Sequence, residues 1–443
     1  MKKHYSASTC KKILTLTLVA SLMVSGLTGC GKKDATAEQV YALTEKVGAL
    51  EQRINDLEEQ NEELRESLEN NKENEDKKES ASSDEKDKEK ESSKDDEKKD
   101  QSADSRQDDQ SSDQNSSSDK DSDKPASSGN ITTGTGSDFR EKHGALSVSS
   151  DGKLVDKNGD IVQLYGMSTH GLSWFPQYVD ENAFRTLRDD WGANCVRLAM
   201  YTEEYGGYCS GGNQGELKNL VRNGVNHATN LGMYVIVDWH ILSDNDPRRH
   251  TEEAKAFFNE FTQNYGGYSN ILYEICNEPN GGTDWNAIKE YANAVIPVIR
   301  ANDPDAVIIV GTPTWCQEPD KPLADPLPYD NILYAVHFYS ATHQDDLYNR
   351  VKQCADSKLP MFISEFGVCD ASGNGALDLN WAKKWLEMCD SYGISYINWN
   401  LANKSESSSA ISSSCSKTSG WSENELSESG KWIRKWFRNK SGL

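Results

Sequence analysis

The chain has 443 residues, room for two or three domains, but only 35% are hydrophobic. A globular average is about 45–50%, so part of the length is expected to stay unfolded. A formal net charge of −23 excludes a nucleic-acid binder and suits a solvated secreted protein, while ten cysteines are too few for a disulfide-stapled scaffold.

The chain opens with Lys2, Lys3, Lys11 and Lys12, followed by a short apolar run over 13–24. This pattern predicts an export signal, too short for an ordinary membrane-spanning helix. It ends in Leu27-Thr28-Gly29-Cys30, which resembles the lipobox of bacterial lipoproteins. The resemblance implies a signal peptide over 1–29, cleavage before Cys30, and a lipid on its thiol. The mature chain would then be extracellular, anchored to the membrane lipid at the cell surface through residues 30–39.

The period next changes to seven. Val40, Leu43, Val47, Leu50, Ile54, Leu57, Asn61, Leu64 and Leu68 alternate spacings of three and four, as the a and d positions of a coiled coil do. β-Branched residues at the early a positions, Leu at d and one Asn at a predict a parallel homodimer over 40–69, with a trimer second. Lys46 and Arg53 at g face Glu51 and Glu58 at e of a partner. Residues 70–137 hold almost nothing apolar and are expected to be a disordered, charged, Ser-rich linker.

From residue 138 to 443 the composition turns globular. Two short alternating runs around Asn158-Gly159 predict a β-hairpin. Strands are then expected over 163–167, 195–200, 233–238, 271–276, 306–310, 332–338, 361–364 and 395–399. Helical patterns lie between and after them, at 181–191, 216–231, 252–265, 285–301, 381–392 and 425–438. Eight strands alternating with helices over this length predict a (β/α)8 TIM barrel. A doubly wound sheet is the alternative, but no Gly-rich phosphate turn follows the first strand.

A barrel puts its site at the C-terminal ends of the strands. There stand His170 and Trp174; Arg197 and Tyr201; Asp238-Trp239-His240; Asn277-Glu278; Trp315; His337 and Tyr339; Glu365; and Trp399. Glu278 closes a short buried run, where poor solvation favours a carboxyl that keeps its proton and acts as a general acid. Glu365 follows the seventh strand, across the barrel mouth. Paired carboxylates in a cleft lined by Trp and Tyr suit glycoside hydrolysis. No cluster has zinc-ligand spacing and no Ser or Cys has a matching base nearby, so neither a metal nor a cofactor is expected.

LYGMSTHGLSW, NCVRLAMY, YVIVDWHILSDNDP, YEICNEPNG, VHFYSATH, FISEFG and INWNLANKSESSSA run in order over about two-thirds of the chain. On these stretches the chain resembles glycoside hydrolase family 5, specifically its bacterial endoglucanases. The resemblance implies a retaining endo-β-1,4-glucanase with Glu278 as acid/base and Glu365 as nucleophile. Arg197 and Tyr339 would hydrogen-bond Glu365, and Asn277 would bind the sugar 2-hydroxyl. His240 and His337 would line the subsite of the cleaved bond, and Trp399 would form its floor. His170, Trp174, Trp315, Lys404 and Glu406 would bind more distant sugars. Phe366, where related enzymes often have Trp, and Asn403, where His is common, are expected to alter subsite preference. No carbohydrate-binding module is expected after the barrel.

Mannan, xylan or mixed-linkage glucan stay open as substrates, and a non-catalytic glycan-binding barrel is the contrasting reading. Cys195 and Cys276 are expected to fill core volume, and pairing of the other cysteines is left open.

Overall fold

The computed structural model describes residues 131–443. The export signal, Cys30, the coiled coil and the linker up to residue 130 lie outside the described residues. Residues 131–137 do not belong with that linker. Ile131–Thr132 (β1) pairs in parallel with Ile161–Val162 (β4). The Thr135 hydroxyl donates to Ala193 O (2.8 Å), and Asn194 Nδ2 donates to Gly134 O (2.9 Å). These groups are bonded to the domain, so composition placed the boundary a few residues late.

Ser147–Val148 (β2), Leu154–Val155 (β3) and β4 complete a four-stranded sheet of order β1-β4-β3-β2. The expected hairpin is the antiparallel β3–β4 pair. Gly159, at φ 82°, makes its turn where a side chain would be strained.

The expected barrel is present. Its parallel strands are Tyr165–Thr169 (β5), Cys195–Tyr201 (β6), Tyr234–His240 (β7), Ile271–Glu274 (β8), Val307–Val310 (β9), Ile332–Tyr339 (β10), Met361–Gly367 (β11) and Tyr396–Leu401 (β12). β12 pairs with β5 and closes the circle. Every strand residue is buried, because helices cover the outside and side chains fill the inside. In β7, Tyr234 and Ile236 point into the barrel while Val235, Val237 and Trp239 pack under the helices. Phe139, Leu146 and Leu154, from the segments before β5, join the lower interior layer and plug the base.

The surrounding helices are Glu181–Thr186 (α1), Gln214–Asn230 (α2), Thr251–Tyr265 (α3), Trp285–Arg300 (α4), Asp345–Asp356 (α5), Leu379–Tyr392 (α6) and Glu428–Ser441 (α7). α4 illustrates the logic. Asp284 caps it by accepting from Ala287 N (2.9 Å), and Ile288, Tyr291, Ala292, Val295 and Ile299 make one buried stripe. α5 was not expected, since its stripe is only Leu347, Val351, Cys354 and Ala355 amid charged residues. The last helix starts later than expected, because the Ser427 hydroxyl accepts from Gly430 N (3.0 Å) and sets its N-cap there. None of the eight cysteines among the described residues is paired.

Phe366 corrects an expectation. It is fully buried on the outer face of β11, stacked on Phe338 at 5.3 Å, and so does not line the cleft where sugars would bind.

Candidate active site

Strand alternation brings a polar layer to the upper end of the barrel. Arg197 on β6, Asp238 on β7 and Glu274 on β8 occupy inward positions and have no solvent exposure. An isolated charge there would be prohibitively costly, so the layer is stable only as a paired network. The Arg197 guanidinium supplies the pairing. Its Nε donates to Glu274 Oε2 (2.7 Å), Nη1 to Glu365 Oε2 (3.1 Å) and Nη2 to Asn277 Oδ1 (2.6 Å). Asp238 Oδ2 lies 3.1 Å from Nη2. Burial opposes the charge on Arg197, but Asp238, Glu274 and Glu365 outweigh it and fix the guanidinium as a cation.

Glu365 reaches this network because β11 is irregular. Its register against β12 shifts between Ile363 and Phe366. Strict alternation would send Ser364 inward and Glu365 outward; the bulge lets both face the interior. Glu365 Oε1 then accepts from the Tyr339 hydroxyl (2.7 Å). Burial and the Glu365 charge hold that phenol well above its usual pKa, so it stays a donor.

Glu278 stands on the loop after β8, half-buried, with Oε1 2.9 Å from His337 Nδ1. His337 Nε2 is 3.0 Å from Ser364 Oγ, whose hydroxyl donates to Glu274 Oε1 (2.7 Å). Burial alone would depress His337, but Glu274, Glu278 and Glu365 raise it to about 9. That rise depends on Glu274, Glu278 and Glu365 carrying their charges. Burial works against the Glu274 charge, but Arg197 and His337 pull its pKa below the usual carboxylate range. Its neighbour His240 is the reverse case, lowered to about 4 by burial and by Arg197. Neutral His240 shares a 2.6 Å hydrogen bond between Nδ1 and Asp238 Oδ2. Burial drives Asp238 the other way, well above the carboxylate range.

A carboxylate oxygen of Glu278, one of Glu365 and a nitrogen of His337 lie within 4.8 Å of one another. Among the described residues this is the cluster tight enough to hold a metal ion.

Above these groups opens a cleft of about 480 Å³. Of the sequence-expected residues, His170, Trp174, Tyr201, His240, Glu278, Trp315, His337, Tyr339, Glu365, Trp399, Lys404 and Glu406 line it. Arg197 and Asn277 lie beneath the floor. Asn277 spends both amide ends on the protein, accepting from Arg197 and donating to Ile241 O (3.0 Å). Trp399 stacks on His240 (5.2 Å, 15°), and Trp174 stacks on Tyr201 (4.9 Å, 30°). Lys404 Nζ meets Glu406 Oε2 at 2.6 Å, and Lys404 also helps burial lower His170 to about 3. Asn403 donates to Cys415 O (2.9 Å), fastening the loop that carries Lys404.

Trp315 is 43% exposed at the rim. It is the middle of three successive left-handed residues, Thr314 (φ 56°), Trp315 (φ 52°) and Cys316 (φ 59°). An L-residue in this region costs roughly 1–2 kcal/mol, so the turn persists only because its surroundings hold it.

Sequence reasoning placed Asp238 at the strand ends but missed Glu274 and Ser364 as members of the site, and Glu204, Gln317 and His343 as lining. Glu274 carried a signal, being a carboxylate at an inward position between apolar neighbours in Tyr273-Glu274-Ile275. The rim residues carried none.

Two carboxylates facing one another across an aromatic-lined cleft, at the mouth of a (β/α)8 barrel, define a glycoside hydrolase site. Residues 155–405 match the profile of "Cellulase (glycosyl hydrolase family 5)", and the chain belongs to that family. It is 48% identical over 284 residues to an endoglucanase of Clostridium saccharobutylicum, covering 64% of this chain and 63% of that one. To endoglucanase A of Butyrivibrio fibrisolvens it is 47% identical over 294 residues, covering 66% and 68%. Among solved structures, it resembles the catalytic domain of a Thermobifida fusca endoglucanase in complex with cellotetraose. That match has a TM-score of 0.65 and 38% identity, over 69% of this chain and all of that one.

Proposed function

We propose that the chain is a retaining endo-β-1,4-glucanase that cleaves cellulose or a related β-glucan by double displacement. The observation that carries this reading is the approach of the Glu278 and Glu365 oxygens to within 4.8 Å. Retaining enzymes place their carboxyl groups about 5–5.5 Å apart, whereas inverting ones leave room for a water at about 6.5–9.5 Å. In the first step a Glu365 oxygen attacks the anomeric carbon while Glu278 gives its proton to the departing glycosidic oxygen. In the second, Glu278 takes a proton from water, which attacks the same carbon and frees Glu365. Arg197 and Tyr339 orient the nucleophile by donating to both its oxygens. Trp399, Trp174 and Tyr201 offer aromatic faces to the C–H faces of the sugars. The relatives named endoglucanase support glucan as the chain cleaved.

The test is release of reducing ends from soluble cellulose, mannan, xylan and mixed-linkage glucan. Glucan should be cut fastest, and Glu365→Gln should lower kcat by at least about 10³-fold. Activity confined to mannan or xylan would overturn the substrate; a fully active Glu365→Gln would overturn the nucleophile. An α-anomer as the first product would overturn retention.

We further propose that the enzyme is extracellular, held to membrane lipid through Cys30 and paired by the coiled coil from Val40 to Leu68. The lipobox-like Leu27-Thr28-Gly29-Cys30 and the unbroken heptads support this. Detergent partition of the full chain should be lost in Cys30→Ala, and sedimentation of residues 31–75 should give a dimer.

A further inference from the structure

The Asn277-Glu278-Pro279 segment that carries the acid is held from two sides. Towards β7, Asn277 N donates to Trp239 O (3.2 Å) and Glu278 N to Ile241 O (3.3 Å). Towards β9, the left-handed turn at 314–316 makes the contacts. Trp315 N donates to Pro279 O (3.0 Å), and the Cys316 thiol donates to Asn277 O (2.9 Å). The approach is close all along this side: a Cβ on Gly311, just after β9, would stand 2.5 Å from Cys276 O and 2.8 Å from Pro279 Cδ. The two peptide carbonyls flanking Glu278 are thus gripped by adjacent residues of one strained turn. The same turn displays the Trp315 ring at the cleft rim.

We propose that Cys316 is a positioning residue for the acid, and that the turn at 314–316 couples a sugar resting on Trp315 to the placement of Glu278. The thiol is suited to this task. It has no exposure, and burial, then the nearby Glu278, push it well above its usual pKa, so it stays a neutral donor. A strained turn fastened at both carbonyls resists displacement of Glu278, and contact energy at the Trp315 ring is spent at the acid, not only on affinity. Loss of the thiol frees Asn277 O and lets the segment drift. A shift well under an ångström in a catalytic group is enough to lower a rate.

This inference rests on the reading of Glu278 as the general acid, and the test separates the two. The full chain is assayed on cellotetraose, whose leaving group needs a proton, and on a dinitrophenyl β-cellobioside, whose leaving group does not. In both cases kcat/KM reports the first displacement. Cys316→Ala is expected to lower kcat/KM on cellotetraose about five- to tenfold and on the aryl substrate less than about twofold. Cys316→Ser, which restores a donor, should recover most of the loss. Equal effects on both substrates, no effect on either, or a Ser variant no better than Ala at unchanged Tm would each overturn the proposal. Glu278→Ala is run alongside. If it too fails to discriminate between the substrates, the acid assignment falls; if only Cys316→Ala fails to, the coupling alone falls.

Discussion

Arg197 is the residue on which the others depend. It has no exposure and lies against Asp238, Glu274 and Glu365, so removing its charge leaves the buried Glu274 carboxylate without its cation. Arg197→Met should destabilise the domain by about 3–5 kcal/mol, read by denaturant unfolding. Arg197→Lys keeps the charge but loses the planar fork that spans Glu274, Asn277 and Glu365, so it should fold yet lose most of its kcat. The two histidines beside this network give opposite pH dependences. His337 rises from 6.5 to about 9 on folding, so its contribution to stability is full below about pH 6.5 and is lost as pH rises through 9. His240 falls from 6.5 to about 4, so the unfolded chain binds its proton first and stability drops as pH falls through that window. Tm measured against pH should therefore fall less steeply between about pH 6.5 and 9 in His337→Gln, and less steeply between about pH 6.5 and 4 in His240→Gln. At this scale the sequence was uneven as a guide. Glu278 was legible because an apolar run stops at it and a proline follows. Glu365 was placed at the mouth as the residue after a strand over 361–364; it lies within β11 instead, where period-two reasoning points it outward and the bulge turns it in.

Elements were easier to read than residues wherever burial was strong. The eight strands stand within a few residues of their expected positions, since helices on one side and the barrel core on the other demand continuous apolar runs. α5 was missed because a helix that buries one narrow stripe against a barrel can be charged everywhere else. The break between α1 and the π-type turn at Leu187–Trp191 was also invisible, although that turn does a specific job. It presents Asp190 to α7, where Arg434 Nε (2.8 Å) and Nη2 (2.6 Å) and Arg438 Nη1 (2.9 Å) all donate to its carboxylate. The first and last helical layers are thereby pinned together. All three side chains are partly exposed, so screening limits what the cluster contributes. Asp190→Ala should lower Tm by about 2–4 °C while leaving KM for soluble glucan unchanged.

For the whole molecule, residues 131–137 belong with the barrel rather than with the polar sequence before it. Composition marks where polar sequence ends, but Thr135 and Gly134 are polar or small and still bonded to the barrel. A chain beginning at residue 130 should therefore melt higher than one beginning at 138, with the same kcat on soluble glucan; equal melting would show that β1 contributes nothing. β1 enters beside β4, under the plug formed by Phe139, Leu146 and Leu154, whereas Glu278 and Glu365 stand at the other end of the strands. Residue 131 and the two carboxylates are at opposite ends of the barrel axis. A chain coupled to a bead through residue 131 should keep its full kcat/KM on a long soluble glucan, and one coupled through the rim loop at Ser372 should not.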